Sequence, residues 1–131
     1  MIIFGHEMIA YPRFVRVESI EAIKHTQASQ ILYFDTSTLG LGRALELAKH
    51  CEGFECAYSV GVESIKELLL FSALGAKYVI AHSLELAQAL QPIIEQYLLD
   101  CKLLCVIENE EILESIAKSG IDGVIFKQVL A

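Results

Sequence analysis

The chain has 131 residues, the size of a single domain. It is too short for a complete (β/α)₈ barrel, which needs roughly 200 residues or more. Hydrophobic residues make up 54% and charged residues 21%, with a mean hydropathy of +0.49, which excludes a disordered chain. The net charge of −7 leaves no basic patch for nucleic acid or an anionic membrane surface, so neither is an expected partner.

Targeting segments and cysteine motifs add little to this description. No apolar run approaches the roughly 18 to 20 residues of a spanning helix, and the N-terminus lacks a basic segment before its apolar residues. We therefore expect a cytoplasmic protein.

The four cysteines follow the patterns C-x4-C and C-x3-C, which differ from zinc and redox motifs. They are expected to be apolar packing residues, and no metal or cofactor is predicted.

In chain order, short β-rich runs alternate with helical stretches. Residues 1–4 could form an edge strand, and strands are predicted at 14–17, 31–34, 54–59, 77–81, 102–107 and 123–126. The last five are continuous apolar runs, which are typical of strands buried on both faces of a parallel sheet. The intervening periodicity predicts helices at 19–28, 39–50, 62–74, 84–98 and 110–118.

Several residues mark where these helices should begin, bend or end. Pro92 predicts a kink or a break within 84–98. Asn109 is a plausible N-cap, and Gly120 a plausible helix terminator.

The alternation predicts one α/β domain over residues 1–131, with five or six mainly parallel strands. A doubly wound, flavodoxin-like sheet is the preferred architecture, and an incomplete TIM-type barrel is the alternative. Residues 1–29 would then be an N-terminal strand and helix preceding a core at 30–131.

Ligands of parallel α/β folds gather where the strands end, so the residues that follow each strand are the candidate site residues. Four of these are poorly explained as helix caps and are the catalytic candidates: Asp35, His82, Glu108 and Lys127. An Asp, His and Glu set suits a divalent metal, although no local spacing supports one here. Lys127 could pair with Asp35, bind an anion or, if desolvated, form a Schiff base.

A glycine-containing turn follows the strand that ends at Asp35. Backbone N–H groups in such a turn can bind phosphate at a helix N-terminus. Leu45 stands where G-x-G-x-x-G requires its third glycine, which disfavours a dinucleotide. A small anionic ligand remains possible, and its candidate contacts are Gly40, Gly42, Arg43 and Ser83.

The segments QILYFDTST, GFECAYSVGVESIKELL, AKYVIAHS and SGIDGVIFKQV resemble a response-regulator receiver domain over residues 30–131. The resemblance places Asp35 at one of the two magnesium-binding acids, with Thr36 replacing the other. His82 stands at the phosphoacceptor aspartate and Ile107 at the switch Ser/Thr. Lys127 matches the family lysine. The resemblance implies a degenerate receiver that binds a partner without being phosphorylated.

The segments FVRV, FECAYSV and LGAKYVIA are similar to units of βα-barrels of the keto-deoxy-phosphogluconate aldolase type. This second resemblance places Asp35 near the acid after the second strand. It places Lys127 two residues beyond the Schiff-base lysine, with the same side-chain parity. It implies a fragment of a barrel that binds a phosphate or keto acid.

These observations lead to two functional hypotheses. The preferred one is a non-catalytic regulatory or protein-interaction domain, and the alternative is a small enzyme or metabolite-binding protein using the four strand-end residues. Surplus apolar residues outside the predicted core predict self-association or a protein partner. They are Ile2, Ile3, Phe4, Met8, Ile9, residues 68–71, Val129 and Leu130.

Overall fold

The computed structural model describes all residues, 1–131, and contains seven strands, all parallel. The strands are β1 (Ile2–Phe4), β2 (Phe14–Arg16), β3 (Ile31–Asp35), β4 (Tyr58–Gly61), β5 (Tyr78–Ala81), β6 (Lys102–Ile107) and β7 (Gly123–Phe126). The helices are α1 (Ile20–Lys24), α2 (Thr36–Leu39), α3 (Leu41–Gly53), α4 (Ile65–Ala73), α5 (Leu84–Gln96) and α6 (Leu113–Lys118). Two 3₁₀ turns cover Glu110–Ile112 and Lys127–Leu130. The predicted α/β class with a parallel sheet is confirmed, with seven strands where five or six were predicted.

The order of the strands differs from the preferred architecture. It runs β1-β7-β6-β5-β4-β3-β2, so strands that follow one another from β2 to β7 are also neighbours in the sheet. A receiver-like sheet would instead place the core strands in the order 2-1-3-4-5. The sheet curls into a half-barrel, as the incomplete-barrel alternative predicts. The apolar runs are equally well buried in either topology, which is why they do not distinguish the two.

The N-terminal residues are part of this sheet. β1 pairs with β7, and β2 pairs with β3, so these two strands form the two edges of the half-barrel. The Phe4 and Phe14 rings, one from each edge strand, lie 5.5 Å apart, and Phe4 also meets Tyr78 edge-on at 5.3 Å. Aromatic side chains thus fill the space between the two edges.

The chain has one core on each face of the sheet. The larger core contains 27 buried residues, most of them contributed by the strands and the helices that cover them. The smaller core fills the inside of the half-barrel with Phe4, Phe14, Ile31, Tyr33, Tyr78, Ile80, Leu104, Ile125 and Leu130. Burial on both faces accounts for the apolar strand sequences.

None of the helices has the length and hydropathy needed to cross a membrane.

The four cysteines are free thiols. Cys51, Cys101 and Cys105 are buried, and Cys56 is half-buried. Burial and the neighbouring Cys56 raise the pKa of Cys51 to about 12, so its thiol stays protonated at neutral pH. This is the packing role that the sequence predicts for the cysteines.

Several predicted bounds need adjustment. The strand predicted at 54–59 is β4 at Tyr58–Gly61, and the helix predicted at 19–28 is the shorter α1 at Ile20–Lys24. The stretch predicted at 39–50 is preceded by a separate helical turn, α2, and Gly40 joins α2 to α3 with a φ of +82°. Pro92 does not break α5, which continues to Gln96. Pro92 has no backbone N–H, so the Gln88 carbonyl lacks its usual donor in the helix. Both residues are exposed, so water can hydrate this carbonyl.

Candidate functional site

The four predicted catalytic candidates form two separate pairs. Asp35 and His82 line one cleft at the strand ends. Glu108 and Lys127 form an ion pair of 3.7 Å, with side chains 77% and 72% exposed. Lys127 therefore pairs with Glu108 and not with Asp35. It also lacks the desolvated surroundings that a Schiff-base lysine requires.

The Asp35 carboxylate is held by several hydrogen bonds. Asp35 is the last residue of β3, and its side chain is only 7% exposed. Oδ1 accepts hydrogen bonds from the Ser37 hydroxyl and the Thr38 backbone N–H, each at 2.8 Å, so Asp35 also caps α2. Oδ2 accepts the Tyr33 hydroxyl at 2.8 Å.

Burial and hydrogen bonding together determine the charge states of Asp35 and Tyr33. Burial alone would raise the pKa of Asp35, but hydrogen bonds from Thr38, Tyr33 and Ser37 outweigh burial and lower it to about 2. Burial, together with the hydrogen bond to Asp35, raises the pKa of Tyr33 well above its ordinary value. Near neutral pH, Asp35 is therefore a carboxylate and Tyr33 a protonated donor.

Arg16, on β2, lies beside this pair. Its guanidinium is 3.3 Å from Asp35 Oδ2, and it also donates to the Leu130 carbonyl at 3.3 Å. The guanidinium carbon lies 5.2 Å from the centre of the Tyr33 ring, a cation–π distance. Arg16 thus ties the edge strand β2 to β3 and to the C-terminal turn.

Arg16 and Tyr33 are site residues that the sequence analysis missed. Tyr33 precedes Asp35 by two positions on one strand, and this spacing places both side chains on the same face. Arg16 is a single charge within a short β-rich run. The spacing of Tyr33 and Asp35 and the charge of Arg16 are both visible in the sequence. Arg16 reaches the other two residues only because the strand order brings β2 beside β3.

His82, which directly follows β5, extends the polar chain. Its Nε2 lies 3.4 Å from the Tyr33 hydroxyl oxygen. Because Tyr33 donates its only hydrogen to Asp35, its oxygen can only accept from His82. For a neutral imidazole, this contact is a hydrogen bond only in the Nε2–H tautomer, in which Nδ1 is an acceptor.

Gly61, on β4, allows the three side chains to meet. It pairs with Asp35 in the β3–β4 register. A Cβ atom at Gly61 would lie 2.7 Å from Asp35 Cβ, 3.1 Å from His82 Nε2 and 3.3 Å from the Tyr33 hydroxyl. A glycine within a strand often marks such a close approach, and here it is needed for the Asp35–Tyr33–His82 chain to form.

An open cleft of about 430 Å³ lies above this chain. Its lining residues are Asp35, Ser37, Gly61, Val62, Glu63, His82, Ser83 and Leu86. The volume falls within the range of small-molecule sites, roughly 300–1,000 Å³. The cleft combines an apolar wall with hydroxyl, carboxylate and imidazole groups, so it offers several hydrogen-bonding partners to a small polar molecule.

The anion-binding candidates do not form one group around this cleft. Ser83 lines it and caps α5 by accepting the Leu86 N–H at 3.1 Å. Gly40, Gly42 and Arg43 are not among its lining residues, and the Arg43 guanidinium donates to the Glu18 carbonyl.

The structure holds no group of three or more His, Cys, Asp or Glu side chains arranged to bind a metal ion. The Asp35, His82 and Glu108 set considered from the sequence is therefore not assembled, since Glu108 pairs with Lys127 instead.

No protein-family model matches the chain, and no curated protein matches it. The site geometry is therefore the basis for any functional proposal.

Proposed function

We propose that this chain is a small-molecule-binding domain built on a partial βα-barrel, with its ligand in the cleft above Asp35 and His82. The observation that carries the proposal is the chain of hydrogen bonds Asp35–Tyr33–His82. It favours the Nε2–H tautomer of a cleft-lining histidine, in which Nδ1 is available as an acceptor. An imidazole acceptor in a polar cleft suits a metabolite that donates a hydroxyl or amino hydrogen.

The strand order supports this choice of site. In a curled parallel sheet, the carboxyl ends of neighbouring strands share one rim, which is where barrel proteins bind their ligands. β3, β4 and β5 are consecutive neighbours and supply Tyr33, Asp35, Gly61 and the position before His82.

The proposal is one of binding and not of catalysis. The low pKa of Asp35 keeps it ionised, and the raised pKa of Tyr33 keeps it protonated, so neither group exchanges protons near neutral pH. Lys127, the lysine that an aldolase mechanism would require, is exposed and paired with Glu108. No step of the proposal uses it.

The binding experiment is an amide NMR screen of the full chain against small hydroxy acids, keto acids, sugars, amines and phosphates. We expect at least one compound to shift the amides of Asp35, Gly61 and Ser83. The shifts should disappear in His82→Ala and persist in His25→Ala, the replacement of another exposed histidine. The proposal fails if no compound shifts these amides, or if His82→Ala responds as the wild type does.

A second candidate function is that of a cytoplasmic protein-interaction domain that self-associates or binds a protein partner. Of the surplus apolar residues on which this prediction rests, Phe4, Leu68, Phe71 and Leu130 are buried in the core. The exposed apolar side chains that favour it lie in two places. Met8 is 82% exposed in the β1–β2 loop, while Leu69 and Leu70 are 40% and 37% exposed on α4. Sedimentation at micromolar concentration tests self-association, and a single monomer boundary would count against it.

A further inference from the structure

A second cavity lies at the opposite end of the sheet from the cleft. It has a volume of about 330 Å³ and lies where the chain enters β3 and β4. Its lining includes Gln27, Gln30, Leu32, His50, Phe54 and Cys56. None of them belongs to the site already described.

One wall of this cavity is aromatic. The His50 and Phe54 rings lie 4.5 Å apart with their planes 32° apart, and Phe54 remains 70% exposed. Leu32, a core residue that is 1% exposed, also lines the cavity. An exposed aromatic ring that borders a cavity offers a stacking surface for a flat ring.

The polar side of the cavity comes from the segment before β3. The Gln27 backbone N–H donates to Gln30 Oε1 at 2.9 Å, which fixes the Gln30 carboxamide and leaves its Nε2 hydrogens available. The Gln27 carboxamide makes no intramolecular hydrogen bond. A carboxamide carries a donor and an acceptor side by side, and this pair matches the adjacent N6 and N7 groups of adenine.

We propose that this cavity binds a purine base or nucleoside, with the ring against Phe54 and its N6 and N7 edge at Gln27. The volume lies at the small end of the range for ligand sites, about 300–1,000 Å³, which suits a single nucleobase. The chain carries a net charge of −7, which argues for a free nucleoside and against a nucleic acid strand. This site is independent of the cleft at Asp35 and His82.

Titration of the full chain with adenosine, followed by amide NMR, tests the site. We expect shifts in residues 26–30 and 54–57 and none at Asp35 or His82. Phe54→Ala should weaken binding about tenfold or more, because stacking on an aromatic side chain supplies much of the affinity for a base. Tyr97→Ala, which removes an aromatic ring that is 61% exposed and lies outside the cavity, should leave binding unchanged.

A matched pair of ligands tests the contact to Gln27. 7-Deazaadenosine lacks the N7 acceptor and should bind the wild type more weakly than adenosine. In Gln27→Leu, this difference between the two ligands should vanish. If Phe54→Ala proves unfolded by thermal melting, Phe54→Leu replaces it with the same expected direction. Absence of shifts around the cavity, or unchanged affinity on loss of the Phe54 ring, would overturn the proposal.

Discussion

The hydroxyl of Tyr33 donates its hydrogen to Asp35 Oδ2 across 2.8 Å within the half-barrel. Donor and acceptor are two residues apart on one strand, so the alternation of β3 places both on the inner face. Because that hydrogen is committed, Tyr33 can only accept from His82, whose Nε2 lies 3.4 Å away. The buried Tyr33–Asp35 hydrogen bond thereby favours the Nε2–H tautomer of His82.

Removal of the Tyr33 hydroxyl tests this relationship. Tyr33→Phe leaves the buried Asp35 carboxylate with one hydrogen-bond donor fewer. We therefore expect the free energy of unfolding to fall by about 1–3 kcal/mol. His82 should also lose its preference for the Nε2–H tautomer. Urea unfolding measures the first effect, and ¹H–¹⁵N correlation of the imidazole ring measures the second. Tyr11→Phe, at a half-exposed tyrosine without a hydrogen bond, is the control and should change neither.

The carboxyl of Asp35 should make stability depend on pH in the acid range. Its pKa is about 2 in the folded chain against an ordinary value of 3.8. Its contribution is therefore complete above pH 3.8 and is lost as the pH falls toward 2. By linkage, this amounts to about 2 kcal/mol. Asp35→Asn should differ from the wild type most at neutral pH and least near pH 2, and a difference that does not change with pH would refute the assignment.

The two glycines at positions 61 and 42 provide a matched comparison. In Gly61→Ala, the new methyl would lie 2.7 Å from Asp35 Cβ, so we expect a loss of about 1–3 kcal/mol and disruption of the His82 contact. Gly42, in the first turn of α3, has nothing within 4 Å of an added Cβ. Gly42→Ala should stabilise the chain by up to about 1 kcal/mol. Equal effects on thermal unfolding would contradict this geometry.

Lys127 should be dispensable for the cleft. Its ion pair with Glu108 is largely exposed, so Lys127→Ala should change stability by about 0.5 kcal/mol or less and leave ligand shifts at Gly61 intact. Borohydride treatment with small keto acids should give no adduct on this lysine by mass spectrometry. A trapped adduct would contradict this prediction, because it would show that Lys127 reacts as a nucleophile despite its ion pair with Glu108.

The elements of the fold were predictable because each has a local physical cause. The apolar runs of β3 to β7 follow from burial on both faces, and Asn109 caps the turn after β6 as its side chain predicts. The order of the strands was not predictable in the same way. Both topologies bury the same residues, and the choice between them depends on which edges meet, a long-range property of the whole chain.

The candidate site was predictable only in part for the same reason. Asp35 and His82 follow strands that the sequence identifies, and β3 and β5 place them in one cleft with β4 between them. Arg16 lies on an edge strand whose partner depends on the strand order. The separation of Lys127 from Asp35 likewise reflects the distance between β7 and β3 around the half-barrel.

The most direct test of the account is where a bound metabolite lies. For the compound with the strongest shifts, isotope-filtered NOEs between ligand and protein locate it among the assigned side chains. We expect contacts to His82, Ser83 and Leu86, and their loss in His82→Ala. Contacts confined to another surface, or contacts in the cleft that persist without the histidine ring, would contradict the proposal that the Asp35–Tyr33–His82 chain builds a ligand site.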